Sequence, residues 1–186
     1  MKIALVQMDV AHGQPVENKK HVKEMLERAL VASPDVIVLP EMWNTGYALD
    51  ELDGLADKEG LDSQEILSHF ARKHAVAIIG GSVAIEKDGK FYNTTYVYNK
   101  SGDLINTYSK VHLFGLMAED QYMSAGSSES VFELDGVTAT SVICYDIRFL
   151  NGCEHRCTRS QGTFCGSAVA RTSCATMGDF VKGACG

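Results

Sequence analysis

Long apolar runs are missing from this sequence. None approaches the roughly 20 residues that a helix needs to cross a bilayer, so a membrane-spanning protein is not expected. Basic residues are in the minority: 17 Lys and Arg stand against 24 Asp and Glu, a net charge of −7. A nucleic-acid binder normally presents a basic face, and that class is set aside. Cysteine is scarce where the chain is most regular, since residues 1–150 hold only Cys144. Five more (Cys153, Cys157, Cys165, Cys174 and Cys185) crowd the last stretch at irregular intervals. No C-x-x-C pair occurs, and His155 is the only imidazole near them. Structural zinc usually takes ligands at short, regular spacings, so no metal site is expected. The start, MKIALVQMDVAHGQ, lacks a small-residue cleavage site, and an Asp follows its short apolar run at once. It reads as a strand rather than a secretory leader, which makes the cytoplasm the default compartment. Thiols there are mostly kept reduced.

What remains is an ordinary globular composition. The 186 residues are 45% hydrophobic and 22% charged, enough for one domain with a real core. KIALVQM reads as a strand. In VENKKHVKEMLERALVA, the apolar residues Val22, Met25, Leu26, Ala29 and Leu30 fall at helical spacing. DVIVLP is a continuous apolar run closed by Pro40, as suits a strand buried on both faces. Asp62 with Glu65 three residues on predicts a helix start, and Ile66, Leu67, Phe70 and Ala71 supply its apolar face. VAIIGGSVAI reads as one further strand. Asp88-Gly89 and Ser101-Gly102 mark turns into the strands FYNTTYVYN and LINTYSKVHLF. VTATSVIC is a last strand, entered from the Asp135-Gly136 turn. Strands and helices alternate and then give way to strands joined by tight turns. That order predicts an α/β structure with helices packed on a sheet.

Three residues of chemical interest stand at the ends of apolar runs. Glu41 follows VIVLP, Lys110 follows LINTYS and Cys144 follows TSVI. Ligands of open α/β sheets gather at the carboxyl ends of strands. A free thiol has a pKa of about 8.5, so it needs help to ionise at neutral pH. A nearby ammonium favours the thiolate, and a carboxylate can take the proton. The three residues together would suit amide hydrolysis through a thioester. Each also has a plainer reading. Glu41 could cap a helix or form a loop ion pair, and Lys110 could be a solvated charge. Cys144 could be an inert core thiol. His112 could be a base or a structural histidine, and Asp146 could pair locally with Arg148. Composition and spacing leave these alternatives open.

A resemblance weighs between them. LPEMWNTGY, YSKVHLF and ICYDIRF resemble the three signature segments of the nitrilase superfamily, the carbon–nitrogen hydrolases, in order and at similar spacing. GGS at 80–82 and YNTTYVYNKSGDLINTYSK are also similar to that family, and the likeness runs from Met1 to Phe149. The resemblance implies Glu41 as general base, Lys110 as the lysine that stabilises the oxyanion, and Cys144 as nucleophile. It implies a second glutamate near the substrate at Glu119, with Tyr145 and Arg148 flanking the pocket. The implied fold is an α-β-β-α four-layer sandwich, usually dimeric or further assembled, with no metal or organic cofactor. LPEMWNTGY and KVHLFGLMAED are most similar to the ω-amidase branch, which deamidates 2-oxoglutaramate and similar small ω-amides. Hydrolysis of another amide, a carbamoyl group or a nitrile stays open.

After Phe149 the pattern changes. Members of the family continue with Pro-Glu, whereas here LNGCEHRCTRSQGTFCGSAVARTSCATMGDFVKGACG follows without a stable period. Residues 1–149 therefore read as the N-terminal part of the hydrolase domain, and 150–186 as an aberrant tail. The tail is either a divergent Cys-rich segment or a segment read out of frame. CTRSQGTFCGSAV permits codons that read A-Q-G-A-K-V-L-F-V-V-A-Q when shifted by one nucleotide, which is the family's pattern after its nucleophile. MGDFVKGACG permits W-E-T-L-L-K-A-R-A in a shifted frame. On that reading the sandwich is incomplete in this chain. The strand before Cys144 is then expected to lose a neighbour, leaving an inactive remnant.

Overall fold

A computed structural model describes the backbone of residues 1–153, 162–165 and 168–170, and the side chains of residues 1–149. The first sheet takes seven strands from β1 (Ile3–Leu5), β2 (Val36–Val38), β3 (Asp57–Lys58), β4 (Ala77–Ile79), β5 (Val83–Lys87), β6 (Lys90–Tyr98) and β7 (Leu104–Ser109). β1, β2 and β4 run parallel, and β6 is antiparallel to β4, β5 and β7. The long β6 takes β4 and β5 end to end on one edge and β7 on the other. A second sheet is built on β8 (Val131–Leu134) and β9 (Val137–Val142). Its other two strands are β10 (Gly162–Cys165), parallel to β9, and β11 (Ala168–Ala170). The strand before Cys144 therefore has a backbone neighbour on each edge, contrary to the expectation for it. The side chains of the tail, its cysteines included, lie outside the described residues, as does the proposed change of frame.

Helix α1 (Pro15–Ala29) opens with proline at its first position, where the missing N–H costs nothing. The short helix α2 (Leu52–Leu55) follows the loop after β2, and α3 (Leu61–His74) follows β3. Helix α3 does not start as the Asp62–Glu65 spacing predicts. Gly60 is its cap residue, in the left-handed region at φ +69, and a Cβ there would lie 2.2 Å from the Tyr96 hydroxyl. The side chain of Asp57 takes the first-turn N–H groups of Asp62 and Ser63, at 3.2 and 2.8 Å. The free donors of a helix start are thus satisfied from the preceding strand rather than from within the helix.

The apolar strands serve two layers at once, because successive side chains point to opposite faces. Ile37, Leu39 and Ile78 face the helices with Val22, Leu26, Leu67 and Phe70. Val36, Val38, Ala77 and Ile79 face the second sheet and meet Phe132, Leu134 and Ala139. DVIVLP is thus buried on both sides, as its unbroken hydrophobicity predicts. The described residues form three layers, helices on sheet on sheet. Among them no helix is long and apolar enough to cross a membrane.

Two turns match their sequence signals. Asp88-Gly89 and Asp135-Gly136 each place both residues at positive φ, as a two-residue hairpin of the primed type requires. VAIIGGSVAI, by contrast, is two strands. Gly81 has φ +60, and a Cβ on it would come within 2.0 Å of the Pro40 carbonyl oxygen. The chain breaks there because the backbone of the Pro40 loop occupies the space.

Candidate functional site

The loop after β2 is held by the Gly80-Gly81-Ser82 break. Ser82 donates its N–H to the Pro40 carbonyl at 3.1 Å and accepts the Met42 N–H on its hydroxyl at 3.1 Å. The Ser82 carbonyl accepts the Trp43 N–H, and the Trp43 indole donates to the Gly80 carbonyl at 2.9 Å. Asn44 donates to the Ala84 carbonyl and accepts the Ala84 N–H, both at 2.9 Å. These bonds bracket Glu41 and fix where its side chain leaves the loop.

Lys110 ends β7. Its N–H donates to the Asn93 carbonyl on β6 at 2.8 Å, and its own carbonyl accepts the Gly126 N–H. The side chain is fully buried, yet charged partners surround it. Its Nζ lies 3.0 Å from Glu41 Oε1, and 2.9 and 2.8 Å from the two oxygens of Glu119. Glu119 opens the short helix α4 (Glu119–Tyr122) and also accepts the Phe114 N–H at 2.8 Å. Burial alone would pull the Lys110 pKa down; Glu41 and Glu119 outweigh it and hold the ammonium above the ordinary lysine value.

Two residues not singled out from the sequence complete this group. Asn93 Nδ2 donates to Glu41 Oε1 at 3.0 Å, while its buried Oδ1 has no protein partner. Tyr47 hydrogen-bonds Glu41 through its hydroxyl. Its pKa is pushed far above the usual tyrosine range, first by burial and then by the charges of Glu41, Cys144 and Glu119. Tyr47 thus lies within the electrostatic reach of all three. An asparagine inside the apolar strand FYNTTYVYN was a visible signal, because a buried amide needs a reason. The tyrosine carried no comparable signal outside LPEMWNTGY.

Cys144 follows β9 and adopts φ +47, a left-handed conformation that non-glycine residues enter at a cost of about 1–3 kcal/mol. It begins the 3₁₀ segment Cys144–Cys153 and is partly exposed. The tight turn brings the thiol out at the carboxyl end of its strand rather than into the core. Tyr145 packs against Phe114 and Phe149, with ring centroids 5.0 and 5.2 Å away. Arg148 is exposed, its guanidinium 5.9 Å over the Tyr145 ring. Asp146 does not pair with Arg148. It is buried against His112 and Tyr108 instead. His112 stacks on Phe149 at 4.0 Å and holds Asp146 through Nδ1 at 2.8 Å, which makes it a structural histidine. The structure thus joins Glu41, Lys110 and Glu119 directly, and the charge of Cys144 is felt at Tyr47, which hydrogen-bonds Glu41.

The family model described as carbon-nitrogen hydrolase matches residues 2–155. A 2-oxoglutaramate amidase from Bacillus subtilis (strain 168) is 48% identical over 147 residues, 79% of this chain and 56% of that protein. An omega-amidase NIT2 from Danio rerio is 33% identical over 155 residues, 80% of this chain and 56% of that protein. The crystal structure of Saccharomyces cerevisiae Nit3, a member of branch 10 of the nitrilase superfamily, superposes with a TM-score of 0.80 at 26% identity. That superposition covers 90% of this chain and 64% of Nit3. The chain spans just over half the length of the two amidases.

Proposed function

The chain belongs to the carbon–nitrogen hydrolase family, and from that premise we propose that it hydrolyses the amide C–N bond of a small ω-amide through a cysteine thioester. The observation that carries this reading is the buried Lys110 ammonium bridging Glu41 and Glu119 beside the Cys144 turn. In this reading Glu41 takes the Cys144 proton, and the thiolate attacks the amide carbon. The oxyanion forms against the Lys110 ammonium and backbone N–H groups, in a site shielded from water where such contacts are strongest. The C–N bond breaks as Glu41 returns the proton to the departing nitrogen, which leaves as ammonia. Water, deprotonated by Glu41, then attacks the thioester. The acid departs, and the proton returns to the thiol. Glu119 holds Lys110 in place and borders the substrate, with Tyr145 and Arg148 at the mouth. The chemistry asks for no cofactor.

The B. subtilis relative's name supports 2-oxoglutaramate as the first substrate to try. Other small amides, carbamoyl compounds and nitriles form the comparison set. We place the protein in the cytoplasm, and assign the homodimer or larger assembly to the intact family rather than to this chain.

The test is ammonia release by the purified 186-residue chain, with Cys144→Ala beside it. The expected result is activity in the first and none in the second, with the fold retained by circular dichroism. Ammonia release that survives Cys144→Ala overturns the nucleophile assignment.

A second reading, an inactive remnant of such an enzyme, is favoured by the lost period after Phe149. With it goes the proposal that residues 150–186 are written in a shifted frame. Resequencing the gene around codon 150 tests the frame: no indel relative to close relatives overturns it. Soluble, monodisperse protein that releases ammonia excludes the remnant.

A further inference from the structure

The mechanism leaves two buried carboxylates unused, Asp57 at the start of α3 and Asp146 beside the thiol turn. Asp146 is 3% exposed and lies two residues past Cys144. Its Oδ2 accepts the Tyr108 hydroxyl at 2.7 Å and the Ile143 N–H at 3.2 Å. Its Oδ1 accepts the His112 N–H at 2.8 Å and faces the His112 Nδ1 at 2.8 Å. A carboxylate only accepts, so the imidazole carries its proton on Nδ1 there.

The positions of these donors matter more than their number. Tyr108 and His112 stand two residues before and two residues after Lys110. Ile143 and Asp146 flank Cys144. One side chain therefore grips both shoulders of the lysine segment and both shoulders of the thiol turn. The turn also needs a restraint, because Cys144 at φ +47 relaxes away from that conformation unless its surroundings hold it. The Ile143 N–H to Asp146 bond supplies that restraint from inside the turn.

We propose that Asp146 is a positioning residue that fixes the Cys144 thiol relative to the Lys110 ammonium. The inference rests on Cys144 acting as the nucleophile. It assigns Asp146 no contact with substrate. An asparagine cannot replace it, because an amide accepts at one end only. Its donating end would face either the Ile143 N–H or the His112 N–H, and one bond would be lost.

The test compares Asp146→Asn with Asp57→Asn in the full chain. Asp57 is a matched control: it too is a buried carboxylate accepting two backbone N–H groups, but both belong to the first turn of α3 and neither to the lysine segment or the thiol turn. Three quantities are read: the melting temperature, kcat and KM for ammonia release, and the alkylation rate of Cys144 by iodoacetamide. Alkylation is followed by mass spectrometry of the Cys144 peptide, so the other five cysteines do not interfere. Iodoacetamide is itself a small amide and reports thiol placement without turnover.

Asp146→Asn is expected to lower kcat about tenfold or more with KM within about threefold, and to slow alkylation about fivefold, as a misplaced reacting group does. Asp57→Asn is expected to lower the melting temperature alone. The proposal is overturned if Asp146→Asn also lowers only the melting temperature. If the parent chain releases no ammonia, alkylation decides. Slowed alkylation supports the positioning role while the amidase reading fails; unchanged alkylation overturns the role. If Asp146→Asn does not fold, Tyr108→Phe removes one of the four bonds and is expected to slow alkylation about twofold. An unchanged rate in folded Tyr108→Phe overturns the proposal.

Discussion

The Asn44 side chain and the Ala84 backbone exchange two hydrogen bonds of 2.9 Å, Nδ2 to carbonyl and N–H to Oδ1. The amide imitates a neighbouring strand on the β5 edge opposite β6, where β3 pairs only with Ile85 and Glu86, and so ties the Glu41 loop to the sheet. Asn44→Ala leaves a buried donor and a buried acceptor unpaired, each worth about 1–3 kcal/mol. The expected loss is about 2–4 kcal/mol of stability by urea unfolding, with kcat falling further than the unfolded fraction explains. Unchanged kcat per folded molecule would show that the loop holds Glu41 without this bond pair.

Gly81 is the other anchor of that loop. Its φ of +60 and the 2.0 Å approach of the Pro40 oxygen leave no room for a methyl group. Gly81→Ala must pay the left-handed penalty of about 1–2 kcal/mol and also push the Pro40 carbonyl away. Glu41 is the next residue, so activity and stability should fall together. Gly89→Ala is the comparison, because a Cβ there meets nothing within 4 Å. It should cost stability only, near the left-handed penalty, in the same unfolding assay.

Much of this was legible in the sequence, and the reasons differ by element. DVIVLP announced a doubly buried strand because both of its faces are apolar. Asp88-Gly89 and Asp135-Gly136 announced hairpins because only a few residue types accept two consecutive positive φ values. The ends of α3 and of VAIIGGSVAI were hidden, because both depend on distant partners. Asp57 supplies the helix start from five residues upstream, and the Pro40 backbone breaks the strand from forty-one residues away. Glu41, Lys110 and Cys144 stood out as polar residues at strand ends. Glu119 came with the family pattern. Asn93 was visible only as an amide inside a strand, while Tyr47 and the role of Asp146 did not show, since each is defined by what it touches.

Lys110 between its two carboxylates is a three-charge unit, and single changes should break it unevenly. Lys110→Met strips both glutamates of their shared cation and leaves two buried carboxylates facing each other. Loss of one partner from a buried ion pair costs about 3–5 kcal/mol. Glu119→Gln removes one carboxylate while Glu41 still compensates the ammonium, so its cost should be smaller, about 1–3 kcal/mol. The double variant Lys110→Met with Glu119→Gln should be more stable than Lys110→Met alone, because one of the opposed charges is gone. A double variant less stable than Lys110→Met would show that Glu119 does not depend on the lysine. All three should lose ammonia release.

The same unit sets a pH dependence whose sign follows from the direction of the Lys110 shift. The lysine pKa is raised above the ordinary lysine value in the folded protein, because Glu41 and Glu119 outweigh the cost of burial. At neutral pH the group is charged folded and unfolded, so its contribution to stability is fully present. As pH climbs past the unfolded value, the unfolded chain sheds the proton first and the folded chain keeps it. The folded state then binds more protons than the unfolded state, and stability falls with rising pH. The fall continues until the pH passes the folded pKa, where the contribution is gone. Thermal melts of the parent chain should therefore lose midpoint steadily above about pH 10. Lys110→Met, less stable throughout, should show a flatter alkaline limb, because its lysine contribution is absent at every pH. Parallel limbs for the two proteins would place the source of the alkaline loss elsewhere than at Lys110.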